Sequence, residues 1–201
     1  MIEPIELTCD ELIFAASQAG FKWRLFDYPS DEAELSRATA RGLQVSVARG
    51  LSEFSDSGEV TVLSPYSDYL ELANRSSTGF LLRAVSESGE VGATLMMALL
   101  PDDGSDPVLI VRTDYGNFFF ASLNREDTRG AVAGLVVSWL DGSLRNGATG
   151  HVEKLTAAGD HVDVATVLVR EGEASVEGAP MEPIDDNWAR VLDLAGWPAT
   201  A

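Results

Sequence analysis

Between residues 77 and 123 the chain alternates apolar, strand-like runs with very short turns. "FLLRAV" leads to Ser88-Gly89, "EVGATLMMALLP" to "DDGSD", and "PVLIVRT" to Asp114-Tyr115-Gly116, after which "NFFFASL" follows. Gly, Asp and Ser between β-branched and aromatic runs mark hairpins. Parallel neighbours need a crossover of a dozen or more residues, so strands joined this tightly must be antiparallel. That constraint excludes a doubly wound sheet. It places the chain in the α+β class, as an antiparallel meander sheet packed with helices and preceded by an N-terminal helical part. The run 91–100 is apolar at odd and even positions alike, which requires cover on both faces.

The helical signals lie on either side of this meander. Thr8 and Glu11 have capping-box spacing, and Leu7 and Leu12 stand where a hydrophobic staple would hold them, which predicts a helix over 8–19 stopped at Gly20. The stretch "FKWRLFDYPS" then reads as aromatic and extended. Ser30 or Asp31 caps a helix over 31–49 with Leu35, Ala38, Gly42 and Val45 on its apolar face, and Gly50 ends it. "ARGL" occurs at 40–43 and again at 48–51, close to two turns apart, so both copies face the same way. "GEVTVL" (58–63) is a short strand, and Ser64 with Pro65 at the first helical position opens a helix over 65–74 with Tyr66, Tyr69, Leu70 and Ala73 inward.

After the meander, Asn124 caps a helix over 125–141 whose stripe is Ala131, Val132, Leu135, Val136 and Trp139. A hairpin joins 151–156 to 161–170, "EGEASVEGAPMEP" reads as an irregular linker, and Asp185 or Asp186 caps a last helix ending near Gly196. No shift in composition marks a boundary, so 1–201 is expected to be one domain, with any subdivision falling between 1–76 and 77–201.

Catalytic signatures are missing. None of the 18 glycines forms a phosphate loop, a dinucleotide fingerprint or a nucleophile elbow. Cys9 stands at a helix start without a neighbouring His, so a structural role is expected. The histidines form two His-x-acid pairs, His151 with Glu153 and His161 with Asp163. A two-residue turn at Ala158-Gly159 sets Lys154 across from Asp163 and puts the pairs on opposite sheet faces. A metal site would then need a bulge or a longer loop. "DDGSD" (102–106) lacks the ligand order of a calcium loop and suits a hairpin. The expectation is no catalytic, cofactor-binding or metal-ligating residue, and no enzyme activity. The run Phe118, Phe119, Phe120 puts two rings on one face and one on the other; whichever face is left uncovered would be a docking patch, so these three are the candidate partner-binding residues.

Charge narrows the partner. With 32 Asp and Glu against 14 Lys and Arg the net charge is −18, which repels phosphate backbones and anionic lipid. Nucleic acid and membrane are therefore excluded as partners. The single cysteine and the acidic start "MIEPIELTCDEL", which lacks a basic leader region, lead us to expect a cytoplasmic protein.

The order of features resembles the EspG-like family, chaperones and adaptors of actinobacterial type VII secretion. The matching pieces are the opening "ELTCDEL" helix, a helix ending in Arg49-Gly50-Leu51, a short helix ending "YLELA", and the sheet-to-helix run from Val108 to Leu140. The 12 Arg against two Lys fit high-GC coding. The resemblance implies a cytosolic binder of PE–PPE heterodimers that covers an exposed apolar end of the PPE protein. The alternative is an acidic inhibitor or immunity-type protein that covers a basic partner through charge.

Overall fold

The structure, a computed structural model, describes residues 2–18, 20–23, 25–26, 28–85, 91–113, 115–124, 134, 149–156, 161–170, 173–183, 189–191 and 193. The meander forms as expected: β4 (Ser76–Val85), β5 (Val91–Pro101), β6 (Val108–Arg112) and β7 (Phe118–Ser122) pair antiparallel in chain order. It is the middle of a nine-stranded sheet. β1 (Ile5–Leu7) adds to β7 at one edge, and β8 (Thr149–Thr156), β9 (His161–Arg170), β10 (Glu173–Val176) and β11 (Glu182–Pro183) continue from β4 toward the other. Thus β4 carries a neighbour on each side, and the hairpin β8–β9 belongs to the same sheet. Residues 173–176, expected to be irregular, pair with β9 instead. The α+β class holds, with the helices N-terminal to most of the sheet.

The first and third helices pack on one face of the sheet, and the second packs against the first. In α1 (Cys9–Gln18) the capping box is made in full: the Thr8 backbone N–H donates to Glu11 Oε2 at 2.9 Å, and the Glu11 N–H donates to Thr8 Oγ1 at 3.2 Å. Asp31 caps α2 (Glu32–Ala48) by accepting the Glu34 N–H at 2.8 Å, and Gly50, at φ 70°, ends it. α3 (Tyr66–Asn74) begins one residue later than expected, with Pro65 at the capping position. Strands β2 (Ser52–Phe54) and β3 (Val60–Val62) form a separate hairpin between α2 and α3.

The core follows from the register. Leu81, Met97, Leu99, Ile110, Phe118 and Phe120 face the helices and cluster with Leu7, Leu12, Phe14, Trp23, Tyr66 and Tyr69. The opposite face buries Phe80, Leu82, Ala98, Leu109, Val152 and Ala165, so both faces are covered, as the run 91–100 required. The expected helix over 125–141, Trp139 included, lies outside the described residues apart from Gly134, which is helical. Among the described residues no helix is long and apolar enough to cross a membrane.

The inward face of α2 differs from the periodicity reading. Ala38, Gly42 and Ser46 are buried, Leu35 is half-buried, and Val45 is exposed. Small residues four apart let the two helix backbones approach, and a Cβ on Gly42 would stand 2.0 Å from the Asp10 carbonyl oxygen. Close packing has selected side-chain size here over hydrophobicity. The two "ARGL" copies do point the same way: Arg41 forks onto Asp10 at 2.7 and 3.2 Å, and Arg49 grips Glu11 at 2.8 and 2.9 Å.

Candidate functional site

The phenylalanine run separates by face. Phe118 and Phe120 are fully buried, and Phe119 is 38% exposed. The cover over the first two comes from the "FKWRLF" stretch and α3. Phe26 stacks on Phe118 with ring centroids 5.5 Å apart, while Phe21 and Tyr69 meet Phe120 at 6.5 and 5.9 Å. Phe118 and Phe120 are therefore core residues closed to a partner in this conformation, and Phe119 alone of the three stays available. It stands across the ladder from Glu6 on one side and Val111 on the other.

The histidine strands also differ from expectation. Their register sets Glu153 across from Asp163, Lys154 across from Val162 and Leu155 across from His161, with an irregularity at Val152/Glu153. This register places positions 151, 153, 161 and 163 on one sheet face rather than on opposite faces. Glu153 is buried and paired with Arg83. Among the described residues no group of three His, Cys, Asp or Glu side chains has the arrangement to hold a metal. "DDGSD" is the β5–β6 turn: Asp102 accepts the Ser77 hydroxyl at 2.8 Å, and Asp103 accepts the Ser105 N–H at 2.9 Å. Hydrogen bonds from the Ser105 hydroxyl and N–H, with Arg75 alongside, hold the Asp103 carboxyl below the usual range.

Cys9 lies against the β6–β7 turn, its thiol 3.5 Å from the Gly116 carbonyl. Burial is the main cause that pushes the thiol pKa up, with Arg112 opposing and Asp10 adding to it. Less thiolate at a given pH means slower attack on an electrophile. At about pH 8, iodoacetamide should label native Cys9 at least about tenfold more slowly than the urea-unfolded chain. Equal rates would show that the thiol is not held there.

A largely apolar cleft that no sequence motif marks lies between α1, α2 and β3. It has a volume of 460 Å³; Phe14, Leu35, Leu43 and Val60 supply its apolar lining, and Ser36, Thr39 and Ala40 supply its small side chains. Along α2 the lining positions are 32, 35, 36, 39, 40 and 43, one continuous stripe. Phe54 sits directly across the hairpin from Val60 and is 56% exposed, so it continues the apolar wall outward. The sequence signal was the run of small residues on α2, which leaves a gap where larger side chains would have filled it.

The cleft has a rigid foundation. Glu11, fully buried, takes Arg49 and Thr8 on its carboxylate, and its carbonyl accepts the Tyr66 hydroxyl. Burial, with Glu11 adding to it, raises the Tyr66 phenol far above its ordinary value, so the hydroxyl remains a donor. Arg49 also donates to the Glu6 carbonyl at 2.7 Å, which fastens the edge strand β1 to the end of α2.

No protein-family model and no curated protein matches the chain. Among solved structures it is similar to the Mycobacterium tuberculosis type VII secretion system chaperone EspG5, determined in complex with a PE25–PPE41 dimer. The two share 11% sequence identity, with a TM-score of 0.46 over 99% of this chain and 98% of that chain. This distant likeness says nothing of which residues would meet a partner.

Proposed function

We propose that this chain is a non-catalytic protein-binding module and that the cleft between α1, α2 and β3 is its docking site. The observation that carries the reading is the largely apolar lining supplied by Phe14, Leu35, Ala40, Leu43 and Val60, extended into solvent by Phe54, on a chain of net charge −18. Exposed apolar surface on an otherwise charged protein marks an interaction site. The acidic charge keeps such a binder dispersed while the cleft is empty. The finer reading is a cytoplasmic chaperone or adaptor of type VII secretion substrates of the PE–PPE kind. It is supported by the sequence resemblance, whose "ELTCDEL" piece runs into the start of α1, whose Arg49-Gly50-Leu51 follows the end of α2 and whose "YLELA" lies within α3.

The test is binding to a partner co-purified from native lysate, measured between low salt and about 0.5 M. At about 0.15 M the Debye length is already near 8 Å, so contact rather than long-range attraction must dominate. Affinity should fall by less than about tenfold over that range, and Phe54→Ser should weaken it by about tenfold or more. An on-rate that collapses by orders of magnitude with salt, with Phe54→Ser silent, would leave the acidic-inhibitor reading in place of this one.

A further inference from the structure

We infer, building on that docking site, that the occupant of the cleft is an amphipathic helix of a partner protein whose apolar stripe is flanked by Lys or Arg. The shape argues for a helix. The stripe from Glu32 to Leu43 follows α2 for three turns, about 16 Å at 1.5 Å per residue. Ser36, Thr39 and Ala40 at its middle let a second helix axis come close, and Leu35, Leu43 and Val60 can receive anchors spaced i, i+3 or i+4, and i+7.

The surrounding charge argues for basic flanks. Residues 50–74 contain no Lys or Arg, and the hairpin that supplies Val60 carries Glu53, Asp56 and Glu59. Glu32 lines the cleft itself. Among the described residues none of these four carboxylates is in an ion pair. The cations of α2 are committed elsewhere: Arg37 to Glu34 at 2.9 Å, and Arg41 to Asp10 and Glu34 at 2.7 and 3.2 Å. The apolar contact supplies most of the affinity, while the unpaired acids select the partner by repelling acidic flanks.

Two synthetic helical peptides with one Leu stripe, flanked by Lys in one and by Glu in the other, test this on the full chain. The Lys-flanked peptide should bind about tenfold tighter at physiological salt and shift the backbone amide resonances of Leu35, Thr39, Leu43 and Val60. The triple reversal Glu32→Lys, Glu53→Lys and Glu59→Lys should invert that preference, with thermal unfolding confirming that the variant folds. Equal binding of the two peptides in the cleft overturns the inference and leaves the docking site standing. Binding of neither, or binding away from the cleft, overturns both. A dimer in sedimentation that Ala40→Glu dissociates would make a second copy the occupant and overturn the inference too.

Discussion

Gly42→Ala is expected to destabilise the fold by about 3 kcal/mol or more, even though alanine is the better helix former by about 1 kcal/mol. The added Cβ would stand 2.0 Å from the Asp10 carbonyl oxygen, 2.5 Å from its carbon and 2.9 Å from Phe14 Cβ. Two of these atoms are backbone, so no rotamer change relieves the clash. Helix α1 cannot simply slide away, because Arg41 holds Asp10 and Arg49 holds Glu11. Moving the helices apart would also open the contacts of Ala38 and Ser46, which are fully buried or nearly so. Gly58→Ala is the contrasting substitution. It meets nothing within 4 Å and is strained only by its φ of 83°, so a loss of about 1 kcal/mol is expected. Urea denaturation distinguishes the two. A Gly42→Ala loss below about 1 kcal/mol would mean that α1 and α2 do not approach this closely.

Much of this packing could be read from local sequence, and the failures share a cause. The Thr8–Glu11 capping box, the Asp31 cap and the "DDGSD" turn depend on residues within a few positions of one another, and each forms as read; the expected turn at Ser88-Gly89 lies outside the described residues. The strand β1 is three residues long and pairs Ile5 with Phe120, a partner no local pattern can reveal. β10 is four residues in a stretch whose glycines and prolines read as linker, and its ladder to β9 makes it a strand. On α2 the expected Ala38 and Gly42 are buried, but hydrophobic periodicity favours Val45, whereas the close approach at Gly42 requires small residues and buries Ser46 instead. The cleft is hidden from periodicity for the same reason, since Ser36, Thr39 and Ala40 carry little hydrophobic signal.

The proposed docking surface lies away from the aromatic strand. On its helix-facing side the aromatic strand is occupied by its own chain through Phe21, Phe26 and Tyr69. Among the described residues, the seam between the helices and the short hairpin stays open, and Phe119 is a separate exposed ring near the β1 edge. The same network that braces α1 and α2 therefore underlies the proposed site, and its most buried member is the Glu11–Arg49 pair.

Arg49→Ala is expected to cost about 3–5 kcal/mol, more than Glu11→Gln, because the two partners are buried unequally. The Glu11 side chain has no exposure, whereas Arg49 is 38% exposed. Removing the arginine strands a carboxylate in the interior with only the Thr8 N–H and hydroxyl as donors. Removing the charge from Glu11 leaves a guanidinium that water can still reach, and a glutamine carbonyl can still accept the Thr8 N–H, so a loss of about 1–2 kcal/mol is expected. The double variant should be less destabilised than the sum of the two, since an uncharged side chain at 11 no longer needs the cation. Arg49→Lys should recover only part of the loss. A compact ammonium cannot bridge the Glu11 carboxylate and the Glu6 carbonyl, which two separate guanidinium nitrogens now do at 2.8 and 2.7 Å. Loosening Glu6 would free the edge strand as well, so hydrogen exchange should rise across Ile5–Leu7 in Arg49→Ala before it rises in β4. Additive losses, or an Arg49→Ala loss below about 1 kcal/mol, would show that the pair does not brace α1 against α2.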